Sequence, residues 1–167
     1  AALIMLVIFS AACVFRENPV HKVLAELTGT PLSRYIQTTS NRHPQARWIT
    51  TDRVFEGYLP ANGARSLTGD YSYPQVSLWK TIDPSPAAFT AYNRAVHAEA
   101  AVDTRNYIEL QNTNTITIHL DPCSPLMKKL NIRYLITRNA YTPGQCLSLQ
   151  TRFTGNNVAV NVYEITP

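Results

Sequence analysis

Leu130-Asn131-Ile132-Arg133-Tyr134-Leu135-Ile136-Thr137 is the stretch on which the fold turns. Residues 132–137 (IRYLIT) carry bulky side chains on both faces, the pattern of a central strand covered on both sides. A short helix opened by Asp121-Pro122 and running through Leu130 feeds it. Downstream, residues 147–154 and 158–165 alternate around Gly155-Asn156-Asn157, a turn that tolerates positive φ, and so predict a hairpin. Upstream, residues 107–111 and 115–120 predict a second hairpin around Asn112-Thr113-Asn114. Its second strand directs Ile116, Ile118 and Leu120 one way and Thr117 and His119 the other.

Before residue 103 the pattern is mainly helical. Ser85-Pro86 is a helix start, and residues 87–102 are Ala-rich, with Phe89, Tyr92, Val96 and Val102 on one face. Arg94, His97 and Glu99 fall largely opposite. A shorter helix is expected over residues 73–82, with Val76, Trp79 and Ile82 together. Residues 47–51 (RWITT) read as a strand. Residues 20–27 have helical spacing, ended by Gly29-Thr30-Pro31. Residues 32–37 add one or two turns, and residues 38–45 read as a polar loop. Helices early and strands late predict an α/β or α+β fold, a mixed sheet with helices mainly on one face.

The chain has 167 residues, 45% of them hydrophobic and 16% charged, enough for one domain with a buried core. The net charge of +4 comes from basic residues scattered along the chain, which argues against nucleic acid as a partner. Residues 1–15 (AALIMLVIFSAACVF) have no charge, Gly or Pro. As a helix they would reach roughly 22 Å at about 1.5 Å per residue. A bilayer core takes about 20 residues. The end of a transmembrane helix, a signal or lipoprotein leader and a buried core helix all fit. The leader reading lacks a basic n-region, and Ser10 stands where a lipobox has Leu. The first reading gives three segments: 1–15 as the C-terminal part of a membrane helix in contact with lipid, 16–46 as a helical connector and loop, and 47–167 as a soluble α/β domain.

No motif announces a reaction. His21, His43, His97 and His119 stand at no metal-ligand spacing, and HExxH, CxxC, P-loop, GxGxxG and GxSxG are absent. Each histidine is expected to be a surface or partly buried imidazole, with no metal and no cofactor. Cys123 precedes the central strand and Cys146 follows it. A bridge between them would close a loop of about 22 residues and add roughly 3 kcal/mol, given an oxidising compartment. Around the glycine-containing stretch 52–73 gather Trp48, Phe55, Tyr58, Arg65, Tyr71, Tyr73 and Trp79. Aromatic faces and Arg forks suit sugar rings and phosphates. The plainer reading puts Trp48, Phe55 and Trp79 in the core and leaves the tyrosines half-buried.

The order of segments carries a resemblance. The apolar stretch leads to Asn18-Pro19. The Arg47-Trp48 strand leads to residues 58–69 (YLPANGARSLTG). Tyr73-Pro74, Leu78-Trp79 and Tyr92-Asn93-Arg94 follow, then LNIRYLIT and a closing Val162-Tyr163-Glu164. This resembles the C-terminal soluble region of YfhO-like and related GT-C-type glycosyltransferase-like bacterial membrane proteins. The resemblance implies a multi-pass membrane body in the bacterial cell membrane and an extracytoplasmic domain that positions a glycan, polysaccharide or lipid-linked sugar. The family's catalytic acid lies in a loop of the membrane body outside these residues, so no catalytic residue carries over. Substrate contact is expected in the matching loop, at Tyr58, Asn62, Arg65, Gly69, Asp70 and Tyr71. Asp70 stands between Gly69 and Tyr71 where the family commonly has Gly-Tyr. A stand-alone secreted or lipid-anchored binding module is the alternative.

Overall fold

The computed structural model describes residues 27–142, 146–155 and 158–167. The expected membrane segment 1–15 and most of the helix over 20–27 lie outside the described residues. Among the described residues no helix is long and apolar enough to cross a membrane.

The chain runs α1 (Pro31–Arg42), β1 (Arg47–Thr50), a 3-10 turn (Arg53–Phe55), α2 (Tyr58–Ala61), β2 (Arg65–Ser66), β3 (Gly69–Asp70) and α3 (Val76–Ile82). A second 3-10 turn (Pro86–Ala88) leads into α4 (Phe89–Tyr92), then β4 (His97–Val102), β5 (Tyr107–Leu110) and β6 (Thr115–Leu120). α5 (Pro125–Lys129), β7 (Ile132–Thr137), β8 (Leu147–Gly155) and β9 (Val158–Ile165) complete it. The fold is α/β, with the strands divided between two mixed sheets. The first has the order β2-β1-β7-β9-β8, and the second β3-β4-β6-β5.

β7 is central to the first sheet, parallel to β1 and antiparallel to β9. Tyr134 and Ile136 face a core with Leu32 and Ile36 of α1, Trp48 and Leu59. Trp48 stacks on Tyr134 at 4.5 Å between centroids. Leu135 faces the larger core, shared with Ile116 and Ile118 of β6, Trp79 of α3 and Met127 of α5. The strand is therefore buried on both sides, as its sequence requires. Both hairpins form, and Gly155 pairs directly with Val158 across the second. Asn156 and Asn157, its expected turn, lie outside the described residues.

Four expectations need correction. The helix over 87–102 stops at Tyr92, and residues 97–102 are instead strand β4, parallel to β6 over six residue pairs. Ser85 does cap the start, its Oγ accepting the Ala87 N–H. Beyond it, a continuous ladder with β6 and burial of Ala98 and Ala100 outweigh the helix preference of alanine. Second, α1 continues through Arg42 where a loop was expected. Thr30 caps it, Pro31 occupies its first turn, and Ile36 and Ser40 are buried one turn apart. Thus Thr30-Pro31 marks a start rather than only an end. Third, the folded unit begins before residue 47, because Leu32 and Ile36 share a core with Trp48. Fourth, Ser124-Pro125, not Asp121-Pro122, opens α5, with Ser124 Oγ accepting the Leu126 N–H.

Candidate functional site

β4 brings the site together. Its even positions, Ala98 and Ala100, enter the core, so His97 and Glu99 share the opposite face. β3 lies antiparallel beside it, with Asp70 opposite His97 and Gly69 opposite Ala98. Gly69 has φ +119°, a conformation closed to most side chains, and it brings this two-residue strand onto β4. Glu56 follows the first 3-10 turn, its N–H donating to the Arg53 carbonyl at 3.2 Å. That turn is tied to β7 through Asp52, whose carboxylate accepts the Arg138 N–H at 2.7 Å and Arg138 Nε at 2.6 Å.

His97 is the centre. Its side chain is 8% exposed, and Nδ1 lies 2.7 Å from Asp70 Oδ1. Nε2 lies 3.5 Å from Glu56 Oε2 and 3.4 Å from Glu99 Oε1, and it is buried with no hydrogen-bond partner among the described residues. Donor atoms of the triad Glu56, His97 and Glu99 all lie within 4.8 Å of one another, close enough for one cation to reach all three. Burial pushes the Glu56 carboxyl above its usual pKa, and the negative charges of Glu99 and Asp70 add to this. His97 and Arg53 oppose it. Beside the triad is a cavity of about 530 Å³, walled by Glu56, Ser66, Thr68, Asp70, Tyr71 and His97 among others. Small-molecule sites run from about 300 to 1,000 Å³.

The six loop residues expected at the site separate. Gly69, Asp70 and Tyr71 line the cavity. Tyr71 donates its hydroxyl to the Leu67 carbonyl at 2.7 Å and meets Trp79 edge-on, and burial raises its pKa to about 12. The other three point elsewhere. Tyr58 hydrogen-bonds Thr30 at 2.6 Å and packs on the α1 side. Asn62 is 2% exposed, donates to the Leu27 and Tyr58 carbonyls and accepts from Gln37. It stitches α2 to α1 and is closed to a ligand. Arg65 is exposed and donates to Gln45. Trp48, Phe55 and Trp79 are buried, while Tyr73 is 67% exposed.

Residue spacing did not reveal the triad, because Glu56 and His97 meet only through the fold. A signal existed in the alternation of His97 and Glu99, had residues 97–102 been read with period two.

A family profile described as a domain of unknown function (DUF7654) matches residues 26–167. The chain belongs to this family. No curated protein and no solved structure matches it. The DUF7654 match takes in α1 and both sheets, so the triad and its cavity lie wholly within the family region.

The same sheet face of this DUF7654 domain holds a second histidine in a different setting. His119 stacks on Tyr107 at 4.0 Å, with Nδ1 3.1 Å from Asp103 and Nε2 3.2 Å from Glu109. Both nitrogens are occupied, which makes it a structural counterpart to His97.

Cys123 and Cys146 are joined, with Cα atoms 5.2 Å apart. The bridge links the residue before the α5 cap to the start of β8.

Proposed function

We propose that this chain is the extracytoplasmic α/β domain of a bacterial multi-pass membrane protein of the GT-C-type glycosyltransferase-like class. Its role is to bind and position a glycan or lipid-linked sugar, with catalysis carried by the membrane body. The observation that carries the reading is the cavity under β3. It combines the hydroxyls of Ser66 and Thr68, the carboxylates of Glu56 and Asp70 and the half-buried ring of Tyr71. Hydroxyl and carboxylate groups match the hydrogen-bonding capacity of a sugar, and an aromatic wall takes its apolar face. The Cys123–Cys146 bridge supports an oxidising compartment.

The test is an NMR titration of the full chain with a panel of bacterial oligosaccharides, neutral and uronic-acid-containing. Saturable shifts centred on residues 66–71 and 97, lost in Tyr71→Ala, support the reading. Shifts centred elsewhere, or none across the panel at millimolar concentration, refute it.

A further inference from the structure

We infer that Glu56, His97 and Glu99 form a binding site for a divalent transition-metal ion, Zn²⁺ foremost, with a remaining coordination position. This stands independently of the glycan reading.

Zinc holds His nitrogen at about 2.0–2.1 Å and carboxylate oxygen at about 2.0–2.2 Å in a tetrahedral arrangement. Two donors on such an ion stand about 3.3–3.5 Å apart. Nε2 of His97 is 3.5 Å from Glu56 Oε2 and 3.4 Å from Glu99 Oε1. An imidazole hydrogen-bonded directly to carboxylates stands closer, as His119 does at 3.1 and 3.2 Å. Both contacts are wider than that, and the separations suit an ion placed between the groups.

A carboxylate can only accept, so in the neutral imidazole Nδ1 of His97 carries the proton given to Asp70 and Nε2 carries the lone pair. Among the described residues that buried atom has no hydrogen-bond partner, and it faces two carboxylates. A lone pair set against two negative groups calls for a cation among them. The Asp70–His97 contact is also the outer-shell arrangement that fixes the tautomer and ring orientation of a metal-bound histidine. His119 shows the contrast, since carboxylates occupy both of its nitrogens.

Glu56 and His97 line the cavity, so a water or ligand oxygen can reach an ion held against them from that side. Three protein ligands and one exchangeable position distinguish a working zinc site from a closed structural one. One imidazole and two carboxylates favour Zn²⁺ over Ca²⁺ and Mg²⁺, which prefer oxygen alone.

The experiment is a calorimetric titration of the full, metal-stripped chain with ZnCl₂, CaCl₂ and MgCl₂. A parallel Co²⁺ titration is followed in the visible region. The expected result is one Zn²⁺ per chain at micromolar or tighter affinity, with Ca²⁺ and Mg²⁺ at least tenfold weaker and Co²⁺ giving tetrahedral absorption. His97→Gln abolishes the site. Asp70→Asn, on an exposed side chain, leaves the fold intact and weakens Zn²⁺ by about 10–100-fold. His119→Gln leaves the affinity unchanged. Absence of stoichiometric Zn²⁺ uptake by the folded chain overturns the inference. So does uptake that His97→Gln and Asp70→Asn leave intact, or that His119→Gln removes.

Discussion

Breaking the Cys123–Cys146 bridge lowers the melting temperature by about 6–12 °C. The bond spans a sequence separation of 23 residues. In the chain-entropy account, closing a loop of that size removes roughly 3 kcal/mol of freedom from the unfolded state. For a domain of this size about 1 kcal/mol moves the midpoint by roughly 2–4 °C, which gives the range stated. The bridge ties the segment ahead of α5 to β8 at the edge of the first sheet, where the Cys146 carbonyl accepts the Thr166 N–H at 3.0 Å. Loss of the bond should therefore act on the β8–β9 edge before the β1–β7 centre. The assay is differential scanning calorimetry of the full chain with and without a phosphine reductant, alongside the Cys123→Ala/Cys146→Ala double variant. The reduced wild type and the variant should melt together, and the variant should ignore the reductant. A shift under about 2 °C on reduction refutes the reasoning and removes the structural support for an oxidising compartment.

Three further outcomes follow from individual residues. Ala98→Ile inserts a branched side chain into a fully buried position of β4 and costs about 1–3 kcal/mol by urea unfolding; a change within about 0.5 kcal/mol would contradict the packing of that strand. Asp83 accepts the Ser85 N–H at 2.9 Å and the buried Ile108 N–H at 3.1 Å, joining the α3–α4 connection to β5. Asp83→Ala leaves those donors unmatched and costs about 1–3 kcal/mol, with hydrogen exchange at Ile108 rising first. Glu56 has its folded pKa raised by burial, so the native state binds more protons than the unfolded chain between the two pKa values. Stability of the metal-free protein therefore falls as pH rises from the unfolded value near 4.3 through the folded one. Glu56→Gln should remove that fall, leaving the variant more stable than wild type at pH 7 but not at pH 3.5; equal melting temperatures at pH 7 without metal would refute the assignment.

The sequence made the late strands legible because each declares itself locally. IRYLIT has bulky groups on both faces, and Thr115–Leu120 alternates cleanly into buried isoleucines and outward Thr117 and His119. Residues 97–102 are the opposite case. Their alanines favour a helix in isolation, and only the ladder to β6 makes a strand of them. The site depends on that strand, since only as a strand do residues 97–102 pair with β3 and set His97 against Asp70 and Glu56. The loop over residues 58–73 was half informative. Gly69, Asp70 and Tyr71 reach the cavity because β3 pairs with β4, whereas Asn62 is consumed by the α1–α2 junction. Neither pairing leaves a trace in residue spacing.

On this reading His97 and its two glutamates are built around an ion beside the cavity. Diffraction from crystals of the zinc-loaded chain, collected on both sides of the zinc absorption edge, addresses it directly. The account predicts an anomalous peak about 2.0–2.1 Å from His97 Nε2, with Glu56 and Glu99 oxygens bound to it. A well-ordered site with no peak, and His97 closed onto one glutamate at about 2.8 Å, would contradict it.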